Sequence, residues 1–161
     1  MKIYETYGFG NDVNLLKICI NRVPTSVNKP TKAWWGSLVD GNFTWKYWCL
    51  GEKFKPESYF RKENKFLWTL TDDSKIFTIK NVSDAENIGK SYQYNSLNDI
   101  PFCISPVIDF EALYDDGYIA IELEDACIGH MFVNKYELMF NSWDCESICV
   151  LDSSKIVPVS K

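Results

Sequence analysis

The chain has 161 residues, which suits a single domain over residues 1–161 whose core forms without disulfides or metal. Hydrophobic residues make up 46% and charged residues 24%, as in ordinary globular proteins, whereas the aromatic share of 16% is high. The net charge of −5 argues against direct nucleic-acid binding.

The first part of the chain favours strand and loop. Lys2–Tyr7 is predicted to be a strand, because its apolar residues are followed by glycines. Prolines and small polar residues predict a loop over 21–33. We expect Trp34 and Trp35 to continue that loop up to Gly36, where large rings are hard to bury, so both are pocket candidates.

A helix is predicted next, with Thr44 as its N-terminal cap. Trp45, Trp48 and Cys49 lie on one face at helical spacing, and we expect the two tryptophans to anchor the core. The stretch 53–65 that follows is basic and aromatic. It either holds a phosphate-bearing ligand or forms a solvated edge.

The middle of the chain carries turn and cap patterns. Lys65–Leu70 and Lys75–Ile79 are predicted to form a hairpin around a Thr-Asp-Asp-Ser turn. Ser83–Glu86 matches a capping box that opens a helix. A second short helix is predicted over Asp109–Asp116, stopped by Gly117.

Two strands are predicted near the end of the chain. Tyr118–Glu124 alternates, with its odd-numbered apolar residues directed toward a core. Glu146–Asp152 is the last strong strand and is followed by an edge-like tail. Short strands mixed with two to four helices, without a regular βαβ order, indicate an α+β fold.

The thiols indicate neither a metal site nor a nucleophile. The six cysteines contain no CxxC pair and His130 is the only histidine, so no zinc site of usual spacing is present in the sequence. Cys127 is too close to His130 in sequence to indicate a catalytic dyad. Unpatterned cysteines without a signal segment or an apolar membrane-spanning run predict a cytoplasmic protein with no membrane partner.

Carboxylates on the late strands are the remaining catalytic candidates: Glu122, Glu124, Asp125, Asp144 and Glu146. Glu146 opens an apolar strand just after Trp143. A carboxylate in that position can be partly desolvated beside a ligand, although a solvated strand end is the common alternative.

Several segments together resemble the ADP-ribosyltransferase fold. They are the opening strand Ile3–Gly8, the Trp-Gly-Ser37 segment before the helix, the Gly117–Glu122 strand, and the closing segment Glu146–Ile156. The closing segment resembles the last part of poly-ADP-ribose polymerase-type domains. The resemblance implies two small, mostly antiparallel sheets around a cleft. It also implies NAD as substrate and transfer of ADP-ribose to a protein target.

The resemblance also implies roles for individual residues. Glu146 would be the catalytic carboxylate that stabilises positive charge on the ribose. Glu122 or Asp125 is the alternative for that role. The NAD-binding residues would be Thr6 and Tyr7 on the first strand, Trp35 and Ser37 on the second motif, and Trp143. Such transferases usually carry histidine or arginine on the first strand, where this chain has Glu5, Thr6 and Tyr7. The chain could therefore keep the fold with altered or lost activity.

A non-catalytic role is the alternative. The acidity, small size and excess of aromatic residues suit an acidic binding protein that covers a basic surface, such as a phage-encoded inhibitor (an anti-CRISPR, for example) or an immunity protein. Residues 109–146 would be its contact face. Frequent Lys, Asn and Ile are typical of AT-rich genomes of low-GC bacteria and their phages, which would place a phage-encoded chain in the bacterial host cytosol.

Overall fold

The computed structural model describes residues 1–8, 13–15, 18–25, 28–94, 106–125, 128 and 135–159. These residues form a mixed α+β architecture with a seven-stranded sheet, a two-stranded sheet and three α-helices. The strands are β1 Tyr4–Tyr7, β2 Asn21–Pro24, β3 Pro30–Lys32, β4 Trp34–Leu38, β5 Lys65–Leu70, β6 Lys75–Ile79, β7 Tyr118–Leu123, β8 Ser147–Val150 and β9 Ile156–Pro158. The helices are α1 Trp45–Gly51, α2 Val82–Ser91 and α3 Phe110–Asp115.

The large sheet has the order β6-β7-β8-β4-β1-β5-β9. Its neighbouring strands are antiparallel except for β6 and β7, which are parallel. The α+β class is therefore confirmed, and pairing is mostly antiparallel as expected. The two sheets are unequal, however, because seven strands join the larger one and only β2 and β3 form the smaller.

Strand β4 divides the large sheet into two parts. Its first residues, Trp34–Gly36, pair with β8, whereas Ser37 and Leu38 pair with Glu5 and Tyr4 of β1. The register between β1 and β4 ends there. The neighbouring side chain, Thr6, then donates its hydroxyl hydrogen to the Trp35 carbonyl oxygen at 2.6 Å. The two strands thus separate after their second residue pair, and the separation leaves an opening on the face that carries Trp35 and Ser37.

Strands β5 and β6 do not form the predicted hairpin. β5 pairs with β1 and β9, and β6 pairs with β7 near the opposite end of the sheet. Phe66 and Trp68 of β5 are buried in one core and Ile79 of β6 in another, although Ile76 of β6 also packs against the first core. The Thr71–Ser74 turn can span at most about 18 Å. Five strand spacings in a flat sheet would cover about 24 Å, so the sheet must curve strongly.

The sheet has a hydrophobic core on each side. One core includes Ile88, Phe110 and Trp143 under α2 and α3, and the other surrounds Trp68. Strand β7 lies between them, and its residues from Ile119 to Leu123 are all buried. The expectation that only its odd-numbered residues face a core was therefore wrong, because the strand lies between two cores.

The predicted loop over 21–33 contains the two-stranded sheet instead. β2 and β3 pair with Pro24 opposite Pro30, at strand ends where a missing N–H group is tolerated. Trp34 and Trp35 belong to β4 rather than to a loop. Trp34 is buried, because it packs edge-on against Phe66 and Trp68.

The caps of two helices agree with the sequence. Thr44 accepts a hydrogen bond from the Tyr47 N–H group and begins α1, and Asp109 accepts one from the Ala112 N–H group and begins α3. Trp45 and Trp48 were expected to be core residues but are only half-buried. Their rings stack at 5.1 Å, and the buried residue of α1 is Cys49.

The cap of helix α2 lies two residues before the predicted one. Asn81 is the cap, because its side-chain oxygen accepts a hydrogen bond from the Asp84 N–H group at 3.1 Å, whereas Ser83 lies inside the helix. We expect Asn81→Ala to lower the free energy of unfolding by about 1 kcal/mol. The matched change Ser83→Ala should alter it by a few tenths at most. Urea unfolding followed by circular dichroism measures both, and equal effects would contradict the cap.

None of the helices within the described residues has both the length and the apolar character that crossing a membrane requires.

Candidate functional site

A cavity of about 370 Å³ lies at the opening between β1 and β4. Its volume is within the range of small-molecule sites, about 300–1,000 Å³. The five residues predicted to bind a ligand all line it: Thr6, Tyr7, Trp35, Ser37 and Trp143. They come from β1, from β4 and from the segment before β8, so the fold brings together residues that are far apart in sequence.

Tryptophan rings form much of the cavity wall. Trp35 and Trp143 meet edge to face, with ring centroids 4.8 Å apart, and Trp45 lines the cavity from the start of α1. The Trp143 indole N–H group donates to the Asn28 carbonyl oxygen at 3.0 Å, which fixes the position of that ring. Such walls suit a planar ring, which can stack or pack edge-on against them.

Two of the hydroxyl groups in the lining, those of Ser37 and Thr6, are already engaged. Ser37 Oγ donates to the Glu146 carbonyl oxygen and accepts from the Trp45 N–H group, both at 3.0 Å. Thr6 Oγ1 donates to the Trp35 carbonyl oxygen and accepts from the Trp68 indole N–H group. These residues therefore tie strands and helix together around the cavity, and both keep their positions without a ligand.

Glu5 is the buried carboxylate of the cavity. Only 8% of the residue is exposed, and its carboxylate forms an ion pair with Lys65 Nζ at 3.2 Å. Burial and the neighbouring Glu5 charge raise the pKa of the Tyr7 phenol, so Tyr7 is neutral at physiological pH. The sequence reasoning noted Glu5 only as a departure from the family pattern. A charged residue within an otherwise buried strand was the signal that could have identified it.

Glu146 lies next to the cavity but its side chain is directed elsewhere. Its Oε2 atom accepts a hydrogen bond from the Asn42 N–H group at 2.9 Å, and its carboxylate lines a second, smaller cavity of about 220 Å³. The residues on either side of it, Cys145 and Ser147, both line the first cavity. Glu146 therefore lies between two lining residues without lining the first cavity itself.

The other two predicted carboxylates also lie outside the first cavity. Glu122 lines the second cavity, where it accepts from the Tyr4 hydroxyl at 3.0 Å and forms an ion pair with Lys2 at 2.7 Å. Asp125 is half-buried beyond the end of β7 and lines neither cavity. The structure thus separates the predicted ring-binding residues from Glu146, Glu122 and Asp125, whereas Asp144, another of the late carboxylates, is half-buried and lines the first cavity.

The described thiols near the cavity are suited to packing rather than to nucleophilic attack. Burial raises the pKa of the Cys145 thiol to about 12, and burial also raises the pKa of Cys149. Cys127 and His130 lie outside the described residues. Within the part of the chain that the structure describes, no group of three histidine, cysteine or acidic side chains could hold a metal ion.

Comparisons with protein-family models, with curated proteins and with solved structures find no match to this chain.

Proposed function

We propose that the cavity binds the nicotinamide end of NAD and that the chain is an ADP-ribosyltransferase-like enzyme acting on a protein target. The observation that carries the proposal is the meeting of Thr6, Tyr7, Trp35, Ser37 and Trp143 around one cavity. These residues were selected from the sequence because of the resemblance, and they come from three separate segments.

The cavity offers the groups that such a substrate needs. Trp35 and Trp143 provide apolar faces and edges for the nicotinamide ring. Cleavage of the bond between nicotinamide and ribose places positive charge on the ribose, and a nearby carboxylate stabilises that charge. Glu5 is a buried carboxylate at this place, and Lys65 holds it in position.

We assign the catalytic role to Glu5 rather than to Glu146. Both lie close to Ser37, because Glu5 pairs with Ser37 across the strands and the Ser37 hydroxyl bonds to the Glu146 backbone. Glu5 and Asp144 are the acidic residues that line the cavity, Glu146 is not among them, and Glu5 is the more buried of the two. The Glu146 carboxylate would have to leave the Asn42 N–H group and move to the opposite side of the chain to take part.

Binding is the first test. We expect NAD to bind, and Trp35→Ala to weaken that binding at least about 10-fold, because the variant loses an aromatic wall of the cavity. Trp48→Ala is the matched control, since Trp48 is also a half-buried tryptophan but lies outside the cavity lining. Isothermal titration calorimetry measures both. No NAD binding by the unmodified protein, or equal losses in the two variants, would refute the proposal.

The alternative is an acidic inhibitor that binds through residues 109–146. In this proposed contact face, Glu122 is buried and paired with Lys2, and Glu124 is paired with Lys2 and Lys80. Glu111, Asp115 and Asp116 of the same face are exposed, so a basic partner would be bound through them rather than through Glu122. Capture of one stoichiometric partner from host lysate, together with no NAD cleavage, would favour the inhibitor instead.

A further inference from the structure

The connection between the two strands of the small sheet places a cation, Lys29, at the cavity. A short connection joins β2 and β3. In it, the Thr25 N–H group donates a hydrogen bond to the Lys29 carbonyl oxygen at 2.8 Å. Asn28, immediately before Lys29, has a φ of 51° in the left-handed region, which asparagine tolerates better than most residues. This turn directs Lys29 toward the cavity, which Lys29 lines.

Asn28 fixes this turn to the core. Only 1% of it is exposed, its side-chain amide donates to the Pro106 carbonyl oxygen at 2.9 Å, and its side-chain oxygen accepts from the Ile108 N–H group at 2.7 Å. Its backbone carbonyl oxygen accepts from the Trp143 indole. The position of Lys29 is therefore coupled to that of a cavity ring, Trp143.

Lys29 is a half-buried cation that lacks an ionic partner among the described residues. Its ammonium group lies 5.6 Å from the Trp35 ring centroid, and its charge opposes the effect of burial on the pKa of Cys145. The carboxylate of Glu5, which lines the same cavity, is already paired with Lys65. An anionic group on a ligand would supply the missing counter-charge.

We propose that Lys29 selects ligands in which the ribose attached to the ring carries a phosphate, so that the cavity prefers a nucleotide to the corresponding nucleoside. This inference rests on the proposed function, because it takes the ring to be nicotinamide. A lysine ammonium binds phosphate as a point charge with three donors, and the tryptophans position the ring beside it. Lys29 is then a specificity-determining residue rather than a catalytic one.

The test compares two probes that differ by one phosphate, nicotinamide riboside and nicotinamide mononucleotide. Calorimetry should show that the unmodified protein binds the mononucleotide at least about 10-fold more tightly, because a charge-assisted contact is gained. Lys29→Gln should reduce that preference to about twofold or less, and Lys29→Arg should retain most of it. Lys46→Gln, at an exposed lysine outside the cavity lining, should leave the preference unchanged.

The outcomes separate this inference from the proposed function. Equal binding of the two probes by the unmodified protein, or an unchanged preference in Lys29→Gln, would overturn the role of Lys29 while the nicotinamide site stood. If neither probe nor NAD binds, both proposals fail. A preference that disappears in Lys46→Gln as well would show a general charge effect and would also overturn the inference.

Discussion

Glu5→Gln is expected to lower the rate of nicotinamide release from NAD about 100-fold or more, while the affinity for NAD changes little. The amide has nearly the shape of the carboxylate but cannot stabilise positive charge that develops on the ribose. Glu146→Gln should leave the rate within about twofold, because the Glu146 carboxylate bonds to the Asn42 N–H group outside the cavity. Initial rates at saturating NAD, with calorimetric dissociation constants, measure both quantities.

The control for this prediction concerns stability. Glu5→Gln leaves Lys65 without its ion pair, so the unfolding transition of each variant should be recorded to show that a loss of rate is not a loss of folded protein. The opposite result, with activity lost in Glu146→Gln and kept in Glu5→Gln, would restore the role that the resemblance implied. It would also mean that the chain rearranges around residues 41–42 when NAD binds.

The second large effect is a steep loss of stability in alkali. Burial raises the pKa of Cys49 to about 11 and that of Cys145 to about 12, and it also raises the pKa values of Cys149, Tyr4 and Tyr7. In the unfolded chain these thiols and phenols ionise near their ordinary values, 9.0 and 10.0. Above those values the unfolded state binds fewer protons than the native state, so stability falls as pH rises.

The expected slope is large because several groups act together. Each contributes up to about 1.4 kcal/mol per pH unit, beginning near pH 9 for the thiols and near pH 10 for the phenols. Urea unfolding midpoints under reducing conditions from pH 7 to pH 11 measure the slope. Cys145→Ala should reduce the slope by the contribution of one ionising group, whereas Cys19→Ser, at an exposed cysteine, should not change the slope. A midpoint that stays constant up to pH 11 would contradict the prediction.

Local features of the fold could be predicted from the sequence, and long-range pairing could not. The caps at Thr44 and Asp109 depend on hydrogen bonds three residues away, and Gly117 ends α3 with a positive φ of 85°. The Thr71–Ser74 turn was also recognised, but its hairpin was not formed. Which strand pairs with which depends on the two cores, and a short apolar run has no signature of its partner.

In the candidate site, the residues on the cavity could largely be predicted from the sequence, but the directions of their side chains could not. The resemblance selected Trp35 and Ser37 of β4, and both line the cavity. It also selected Glu146, which lies just before β8 and outside the lining, because its carboxylate bonds to the Asn42 N–H group instead. Lys29 was missed because residues 21–33 were interpreted as an unstructured connection.

The central position of β8 has a consequence for how the chain folds. β8 joins β7 to β4, and its contact with Trp34 is made by Val150, more than 100 residues later in the sequence. Closing such a long loop costs entropy before any contact offsets it, and domains dominated by distant pairings fold in roughly milliseconds to seconds. The two halves of the sheet can meet only once β8 is in place. We therefore expect the wall that Trp143 and the segment before β8 add to the cavity to form later than the walls at β1 and β4, which pair directly with each other.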